Sequence, residues 1–243
     1  MDLEKMALVN EASLQNNSYP GRGIIIGQTP DRQNYVQVYW IMGRSNNSRN
    51  RVFVREGDFL RTKAFDESKL EDPSLIIYYP IKDLNGYHIV TNGDQTDTIY
   101  DFLKQGKTFV DALRTRKFEP DAPNFTPRIS GILDLNNSLS YTLSVLKAES
   151  QNPDYCHRAF YHNDKFIPGY GHCIHTYEGD GNPLPSIAGD PKLLRVFDDI
   201  DQTAEYYWDL LNEENKVSLA VKFVSCEGKE IKMKVINKHL LSL

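Results

Sequence analysis

The fold of this chain is set by two apolar runs, Gly23-Ile24-Ile25-Ile26-Gly27 and Tyr35-Val36-Gln37-Val38-Tyr39-Trp40-Ile41-Met42. The first run has the composition of a short buried strand bounded by glycine. The second is rich in β-branched and aromatic residues, which favour strands. The segment 28–34 between them contains Pro30 and Asp31, which favour a turn. The two runs are therefore predicted to pair as a hairpin.

Outside this hairpin, strands and helices alternate in blocks. Patterns of β-branched, aromatic and alternating residues predict further strands at 51–55, 75–79, 87–91, 128–133, 139–146, 156–161, 217–225 and 230–236. Helical spacing predicts helices at 2–16, 97–103, 109–113 and 198–212, and a loop rich in glycine and proline covers 168–191. This order predicts an α+β protein with mostly antiparallel pairing. Two stacked sheets with helices outside would accommodate so many strands.

The composition limits the class of protein. With 243 residues, 40% of them hydrophobic, the chain is long enough for one large domain or two small ones with a real core. The net charge of -5 disfavours a nucleic-acid partner, so the arginines must act locally. No run has the length of a membrane span, and the first residues lack the pattern of a signal peptide. Three widely spaced cysteines favour a reduced, cytoplasmic location over a disulfide framework.

Arginine and small polar residues recur at the ends of the predicted strands. Four runs carry them: Tyr19-Pro20-Gly21-Arg22-Gly23, Gly43-Arg44-Ser45 continuing to Ser48-Arg49-Asn50-Arg51, Asn92-Gly93-Asp94-Gln95-Thr96-Asp97-Thr98, and Thr126-Pro127-Arg128-Ile129. A planar guanidinium can donate two parallel hydrogen bonds to one oxyanion. The repeated pattern therefore indicates a phosphorylated or otherwise anionic small ligand.

Each run also has a purely structural interpretation. The pair Arg44-Ser45 could lie in a solvated surface turn, and Asn92-Gly93-Asp94 could be an ordinary helix cap. Arg128, at the edge of its predicted strand, could form a salt bridge with Glu119 or Asp121. Taken one at a time, the runs leave both interpretations open.

Two other motifs have a chemical and a structural interpretation. Tyr78 and Tyr79 alternate faces of a predicted strand, so one should point inward. Its hydroxyl could belong to the core or donate to a developing negative charge. The run His172-Cys173-Ile174-His175 lacks the second cluster that zinc motifs have. Packed side chains are therefore favoured over metal ligands, and no metal site is predicted.

Taken together in chain order, these runs resemble the IMP cyclohydrolase family of the archaeal type, which also has bacterial homologues. The resemblance covers residues 19–22, 39–51, 90–93 with 96–99, 126–129 and 176–178. It implies a four-layer αββα sandwich, similar in architecture to the N-terminal-nucleophile hydrolases but without their self-processing chemistry. It also implies that residues 1–243 form a single IMP cyclohydrolase-like domain, with 1–18 as an N-terminal lead-in.

The resemblance implies a reaction and a substrate. IMP cyclohydrolases close 5-formamidoimidazole-4-carboxamide ribonucleotide to inosine monophosphate with loss of water, the last step of de novo purine biosynthesis. The expected partner is this small purine ribonucleotide, with no nucleic acid, no membrane and no cofactor; whether the chain forms a homo-oligomer stays open. Two alternatives remain. One is an N-terminal-nucleophile amidohydrolase processed internally, for instance before Ser18, and the other is a non-catalytic purine nucleotide-binding protein.

The resemblance also implies roles for individual residues. Several polar groups are expected to hold the ligand, chiefly its phosphate: Arg22, Arg44, Ser45, Asn50 and Arg51. Asn92 and Gly93 are expected to meet the carboxamide or formyl group, and Tyr177 to line the cleft. The expected catalytic residues, which would transfer protons and stabilise charge, are Tyr78, Glu119 and Arg128, oriented by Asp97.

Overall fold

The computed structural model describes residues 2–71, 73, 75–136, 140–150 and 152–241. Within them the chain is a mixed α/β protein with two antiparallel sheets and few helices. One sheet is built from β1 (Gly23–Gln28), β2 (Asn34–Met42), β10 (Tyr170–His175), β11 (Lys192–Arg195), β12 (Lys216–Ser225) and β13 (Ile231–Asn237). Its strand order is β11-β10-β1-β2-β12-β13.

The other sheet contains seven strands in the order β3-β4-β5-β6-β7-β8-β9. They are β3 (Arg51–Glu56), β4 (Phe59–Ala64), β5 (Ile81–Leu84), β6 (Tyr87–Thr91), β7 (Arg128–Asp134), β8 (Ser140–Glu149) and β9 (Asn152–Asn163). The α-helices are α1 (Leu3–Asn16), α2 (Asn46–Arg49), α3 (Gln95–Lys104), α4 (Phe109–Arg114) and α5 (Ile200–Leu210). None of the helices in the described part of the chain is long and apolar enough to cross a membrane.

The alternation of side chains along each strand divides the core into layers. Ile24 and Ile26 of β1 join a cluster that also holds residues of the seven-stranded sheet, such as Val90 and Ile129. Ile25 faces the other way, into a cluster with residues of α1 and α5. A third cluster joins the seven-stranded sheet to α3 and α4. The two sheets thus share one core, which is consistent with a sandwich.

Most of the predicted elements are confirmed with small shifts of their ends. The hairpin of β1 and β2 pairs Ile25 with Val38, and β12 pairs with β13. All four predicted helices are present as α1, α3, α4 and α5. The strand predicted at 139–146 begins at Ser140 in the described structure, and residue 139 lies outside the described residues.

Three predictions about the strands are wrong. Residues 75–79 do not form a strand, and β6 pairs instead with β5 around the Asn85-Gly86 turn. The strand β4 was missed, because one of its two buried positions holds Thr62 in place of an apolar residue. The loop predicted at 168–191 contains β10, which pairs with β1 at the centre of its sheet. Glycine and proline around β10 masked a strand that tertiary pairing stabilises.

Candidate functional site

A cavity of about 290 Å³ opens beside the first residues of β1 and β3 and the segment after β10. We call it the arginine cavity. It is lined by Tyr19, Arg22, Met42, Arg44, Ser45, Ser48, Arg51, Asp121, Asn124, Thr126, Tyr177 and Leu184. Larger cavities, of about 300, 330 and 450 Å³, lie elsewhere on the molecule. The arginine cavity is the candidate site because of the buried polar atoms around it, not because of its size.

Arg51 is fixed at the wall of the cavity by the backbone. It is 1% exposed, its Nε donates to the Ser48 carbonyl at 2.7 Å, and its Nη2 donates to the Met42 carbonyl at 3.0 Å. Among the described residues, its buried Nη1 has no hydrogen-bond partner. Burial lowers the pKa of Arg51, and the charge of Arg22 acts in the same direction. The guanidinium is therefore held rigidly and keeps one donor for a ligand.

Arg22 lies just before β1 and is anchored by a carboxylate. Its backbone amide donates to Thr176 Oγ1 at 3.2 Å, and its Nη1 lies 3.5 Å from Glu119 Oε2. Burial alone would lower the pKa of Arg22, but Glu119 and the hydroxyls of the nearby tyrosines together outweigh burial, and the pKa is raised. In the part of the chain that the structure describes, the buried Nε has no partner. Arg22 thus keeps its charge and offers a second donor.

Glu119 is a buried acid between two arginines. It is 1% exposed, and its backbone amide donates to the Thr126 carbonyl at 2.9 Å. Burial raises the pKa of the Glu119 carboxyl, although Arg22 and Arg128 act against the shift. Its Oε1 is buried without a hydrogen-bond partner in the described structure. Glu119 therefore holds a proton to higher pH than an exposed glutamate would.

Tyr78 forms a buried pair with a residue that the sequence analysis missed. Its hydroxyl lies 2.7 Å from the hydroxyl of Tyr39, and either oxygen could be the donor. Burial raises the pKa of Tyr39, and Arg22 and Arg51 act against that shift. The sequence predicted that one of Tyr78 and Tyr79 points inward. That residue is Tyr78, which is 5% exposed. Tyr39 could have been found, since it shares a face of β2 with the apolar Ile41.

Arg128 stands at the first position of β7 and is 5% exposed. Its Nη1 donates to Gln95 Oε1 at 2.5 Å and lies 2.7 Å from Asp94 Oδ1. The alternative of a salt bridge to Glu119 or Asp121 is wrong, since within the described residues its ion-pair partner is Asp94. Burial lowers the pKa of Arg128, and the nearby Glu119 acts in the opposite direction.

The segment between β6 and α3 contains Gly93, beside which Arg128 and Glu119 lie close together. A Cβ added to Gly93 would lie 2.6 Å from Arg128 Nη1, 2.7 Å from Gln95 Oε1 and 3.5 Å from Glu119 Oε1. Asn92 holds the segment in place, because its Oδ1 accepts from the amide of Ile129 at 2.9 Å and from Gln95 at 2.9 Å. Its Nδ2 donates to the Pro127 carbonyl at 2.8 Å. The side-chain amide of Asn92 is therefore already engaged within the protein.

Aromatic rings and hydroxyls close the other side of the cavity. Tyr177 lines it, and its hydroxyl lies 2.5 Å from Thr126 Oγ1. The rings of Tyr177 and Tyr19 stack at 5.9 Å, and the Arg44 guanidinium lies 5.1 Å from the centre of the Tyr19 ring. Arg44 also donates to the Gly181 carbonyl at 2.9 Å and pairs with Asp180. Arg44 is thus held at the mouth of the cavity.

Ser45 has a local structural role as well as a place in the lining. The residues after Ser45 form the short helix α2, and Ser45 caps it by accepting from the Ser48 amide at 3.1 Å. Ser48 completes the capping box by accepting from the Ser45 amide at 3.0 Å. This box orients the segment that carries Arg51 into β3.

Five predicted site residues line the cavity: Arg22, Arg44, Ser45, Arg51 and Tyr177. The lining does not include Tyr78, Asn92, Gly93, Glu119 and Arg128, and the side chains of Asn50 and Asp97 are held by contacts elsewhere. The side chain of Asn50 exchanges hydrogen bonds with the backbone of Asp66, at 2.7 and 2.8 Å. Asp97 forms an ion pair of 2.6 Å with Lys82 of β5. Neither residue lines the cavity or pairs with Arg22 or Glu119 in the described part of the chain. The hydrogen bonds to Asp66 direct the Asn50 side chain away from the cavity. Asp97 is directed away by its position on α3.

The pattern His172–His175 serves packing and hydrogen bonding. Cys173 is 2% exposed in the core beneath α5, and His175 Nδ1 lies 3.0 Å from the Tyr177 carbonyl. No group of three or more His, Cys, Asp or Glu side chains within the described ranges could hold a metal ion. This segment therefore positions Tyr177 beside the cavity.

Comparison with known proteins shows which family this chain resembles. Residues 19–229 match the family described as IMP cyclohydrolase-like protein, and this range contains all the residues that line the cavity. The IMP cyclohydrolase of Methanopyrus kandleri is similar, with 32% identity over 120 residues. That match covers 48% of this chain and 59% of the relative, which is less than two thirds of the relative's length.

Proposed function

This chain belongs to the IMP cyclohydrolase-like family, and on that premise we propose that it is an IMP cyclohydrolase. Its substrate would be 5-formamidoimidazole-4-carboxamide ribonucleotide, and its products inosine monophosphate and water. The observation that carries this proposal is a set of buried polar atoms without partners in the described structure. They are Arg22 Nε and Arg51 Nη1, of two residues that line the arginine cavity, and Oε1 of Glu119, which is paired with Arg22.

Unpaired buried groups of this kind indicate a ligand. Each buried polar group left without a hydrogen bond costs on the order of 1–3 kcal/mol, and more when it is charged. Two donors from Arg22 and Arg51 match the oxygens of an anion, and the unpaired oxygen of Glu119 matches an N–H or O–H group. A mononucleotide carries both kinds of group, which supports a ribonucleotide substrate.

The arginines would bind the 5′-phosphate of this substrate. Arg22, Arg44 and Arg51 line one cavity, together with the hydroxyl of Ser45. Arg44 is the most exposed of the three arginines, with 36% of its side chain accessible, so it would contact the phosphate as the substrate enters. Asn50 does not belong to this part of the proposal, since its amide braces the backbone of Asp66.

The reaction requires positioning more than bond activation. The carboxamide nitrogen forms a bond to the formyl carbon of the same molecule, so holding the reactive rotamer lowers the barrier. The carboxamide nitrogen and the formamido nitrogen each lose one proton, and the formyl oxygen leaves with both as water. Glu119 would donate a proton to the leaving oxygen, consistent with its raised pKa. Tyr78 and Arg128 would stabilise the negative charge that develops on this oxygen.

Gly93, Asn92 and Tyr177 would complete the site. Gly93 lies beside Arg128 and Glu119, so its backbone could approach the carboxamide or formyl group. Asn92 would act by holding this backbone rather than through its own amide, which is engaged. Tyr177 would form the wall of the cleft. The chemistry needs no cofactor.

We propose further that the layers are arranged as an αββα sandwich of the N-terminal-nucleophile-hydrolase type. The three hydrophobic clusters, one between the sheets and one beneath each pair of helices, support this arrangement. The whole chain would act as a single domain in the cytoplasm, with residues 1–18 as a lead-in whose helix packs on β11.

The purified protein, incubated with 5-formamidoimidazole-4-carboxamide ribonucleotide, tests the proposal. We expect inosine monophosphate to form, and we expect Glu119→Gln to lower kcat by roughly 10²–10⁴-fold because a proton donor is lost. Glu205→Gln, an exposed change on α5, is the matched control. Binding of inosine monophosphate without turnover of the precursor would contradict the proposal in favour of a nucleotide-binding protein. Activity only of a chain shortened to Ser18, seen by intact mass, would favour the amidohydrolase.

A further inference from the structure

Asp94 makes no use of its position as a helix cap. It is the N-cap residue of α3, where an aspartate normally accepts a hydrogen bond from an amide of the first turn. Here the side chain makes no cap hydrogen bond, although such a bond would stabilise the helix. Its carboxylate instead lies between two arginines, with Oδ1 2.7 Å from Arg128 Nη1 and Oδ2 2.5 Å from Arg116 Nη2.

The ion pair with Asp94 fixes the position of the Arg128 guanidinium. Arg128 is held on one side by Asp94 and Gln95, and the absence of a side chain at Gly93 lets it stand close to Glu119. Burial would raise the pKa of Asp94, but the two arginines outweigh burial and lower it, so Asp94 carries its negative charge at neutral pH. The negative charge of Asp94 therefore neutralises part of the positive charge that Arg128 places beside Glu119.

Glu119 is surrounded by a small set of charged groups. Arg22 faces it from the start of β1, Arg128 from β7 and Arg51 from β3, and all three favour its ionised form. Asp121, two residues along its own segment, favours the protonated form. Arg51 is held by the Met42 carbonyl and Arg22 is paired with Glu119 itself, so Arg128 is the cation through which Asp94 adjusts the balance at Glu119.

We propose that Asp94 is a positioning residue of the reaction, which neutralises and orients Arg128 so that the buried Glu119 keeps its proton for the leaving oxygen. The inference rests on the proposed function for the role of that proton. The electrostatic part does not depend on turnover, because Asp94 acts on Glu119 through Arg128 whether or not substrate is present.

The test is the titration of Glu119 in the full-length protein without ligand. The side-chain carboxyl carbons of glutamate are labelled with ¹³C, and the Glu119 signal is assigned as the one missing from Glu119→Gln. In Asp94→Asn we expect the midpoint of this signal to move to lower pH, because Arg128 is no longer neutralised. Asp101→Asn, an exposed change on the same helix, is the control and should leave the midpoint at its wild-type value.

An unchanged midpoint in Asp94→Asn, with the protein folded, would overturn the inference. If the wild type is active, the alkaline limb of its kcat profile should move to lower pH in Asp94→Asn. We then expect kcat at neutral pH to fall by about tenfold, which corresponds to a change of about one pH unit. A wild type without turnover would refute the proposed function, while the titration would still decide the inference about Asp94.

Discussion

Gly93 is the residue at which the smallest change should have the largest effect on the proposed chemistry. An added Cβ would lie 2.6 Å from Arg128 Nη1 and 2.7 Å from Gln95 Oε1, closer than real carbon atoms approach these groups. Both neighbours are the ends of side chains, which can move without disturbing the backbone. The change therefore should displace Arg128 while leaving the fold intact.

We expect Gly93→Ala to lower kcat by on the order of 10²-fold, since a displacement of about 1 Å can cost that much. The melting temperature should fall by only a few degrees, roughly what 1 kcal/mol produces in a chain of this size. The matched control is Gly179→Ala, where an added Cβ would meet nothing within 4 Å. Equal turnover by the two variants would remove Arg128 from the proposed mechanism.

At the scale of elements, the helix α1 is attached to the six-stranded sheet by one buried carboxylate. Glu11 is 3% exposed and accepts hydrogen bonds from Arg195 Nη2 at 2.6 Å and from the Tyr206 hydroxyl at 2.6 Å. The backbone amide of Arg195 donates to it as well, at 2.8 Å. These contacts join α1 to β11 and α5 and are remote from the arginine cavity.

We expect Glu11→Ala to lower the free energy of unfolding by about 3 kcal/mol, because Arg195 loses its partner in a largely buried pair. Chemical denaturation measures the change, and Glu4→Ala, an exposed change in the first turn of α1, is the control. The kcat of Glu11→Ala should stay at the wild-type value. A loss of activity without a loss of stability would mean that α1 acts on the site and does not merely support the sheet.

The elements that were predicted incorrectly show what local patterns omit. Residues 75–79 are rich in strand-forming side chains, yet their backbone groups bond to Thr62 and to the Pro73 carbonyl. Thr62 Oγ1 donates to the Ile76 carbonyl at 2.8 Å and accepts from the Tyr78 amide at 2.8 Å. Pro80 then follows without an N–H to continue a ladder. The inward position of Tyr78 is nevertheless correct, because its aromatic ring must be buried in either conformation.

At the scale of the whole molecule, the two sheets are joined by a buried ionic cluster. Lys222 of β12 has no exposed side-chain surface; it pairs with Asp83 of β5 and lies 3.0 Å from His88 Nδ1. Burial lowers the pKa of Lys222, although the charge of Asp83 acts against the shift. Lys222 is opposite Gln37 on β2, several residues from Met42, which lines the cavity.

We expect Lys222→Met to lower the free energy of unfolding by about 3 kcal/mol, since Asp83 would remain buried without its cation. The double variant Lys222→Met/Asp83→Leu should recover most of that loss, because apolar pairs often replace buried ion pairs without cost. A double-mutant cycle with Asp83→Leu measures the coupling. If the effects of the single changes simply add, the cluster does not hold the sheets together as a pair of charges.

The sequence alone determined which segments are strands and helices wherever one pattern was strong, as in β1, β2 and α5, because these patterns depend on neighbours in the chain. It also marked Arg22, Arg51, Glu119 and Arg128 as candidates. Only the tertiary structure decided that Arg22 and Arg51 line one cavity with Glu119 beside Arg22, that Asp94 and not Glu119 pairs with Arg128, and that Asn50 and Asp97 lie elsewhere. The reason is physical: strand order and close packing choose the partner of each charge, and neither is encoded in local spacing.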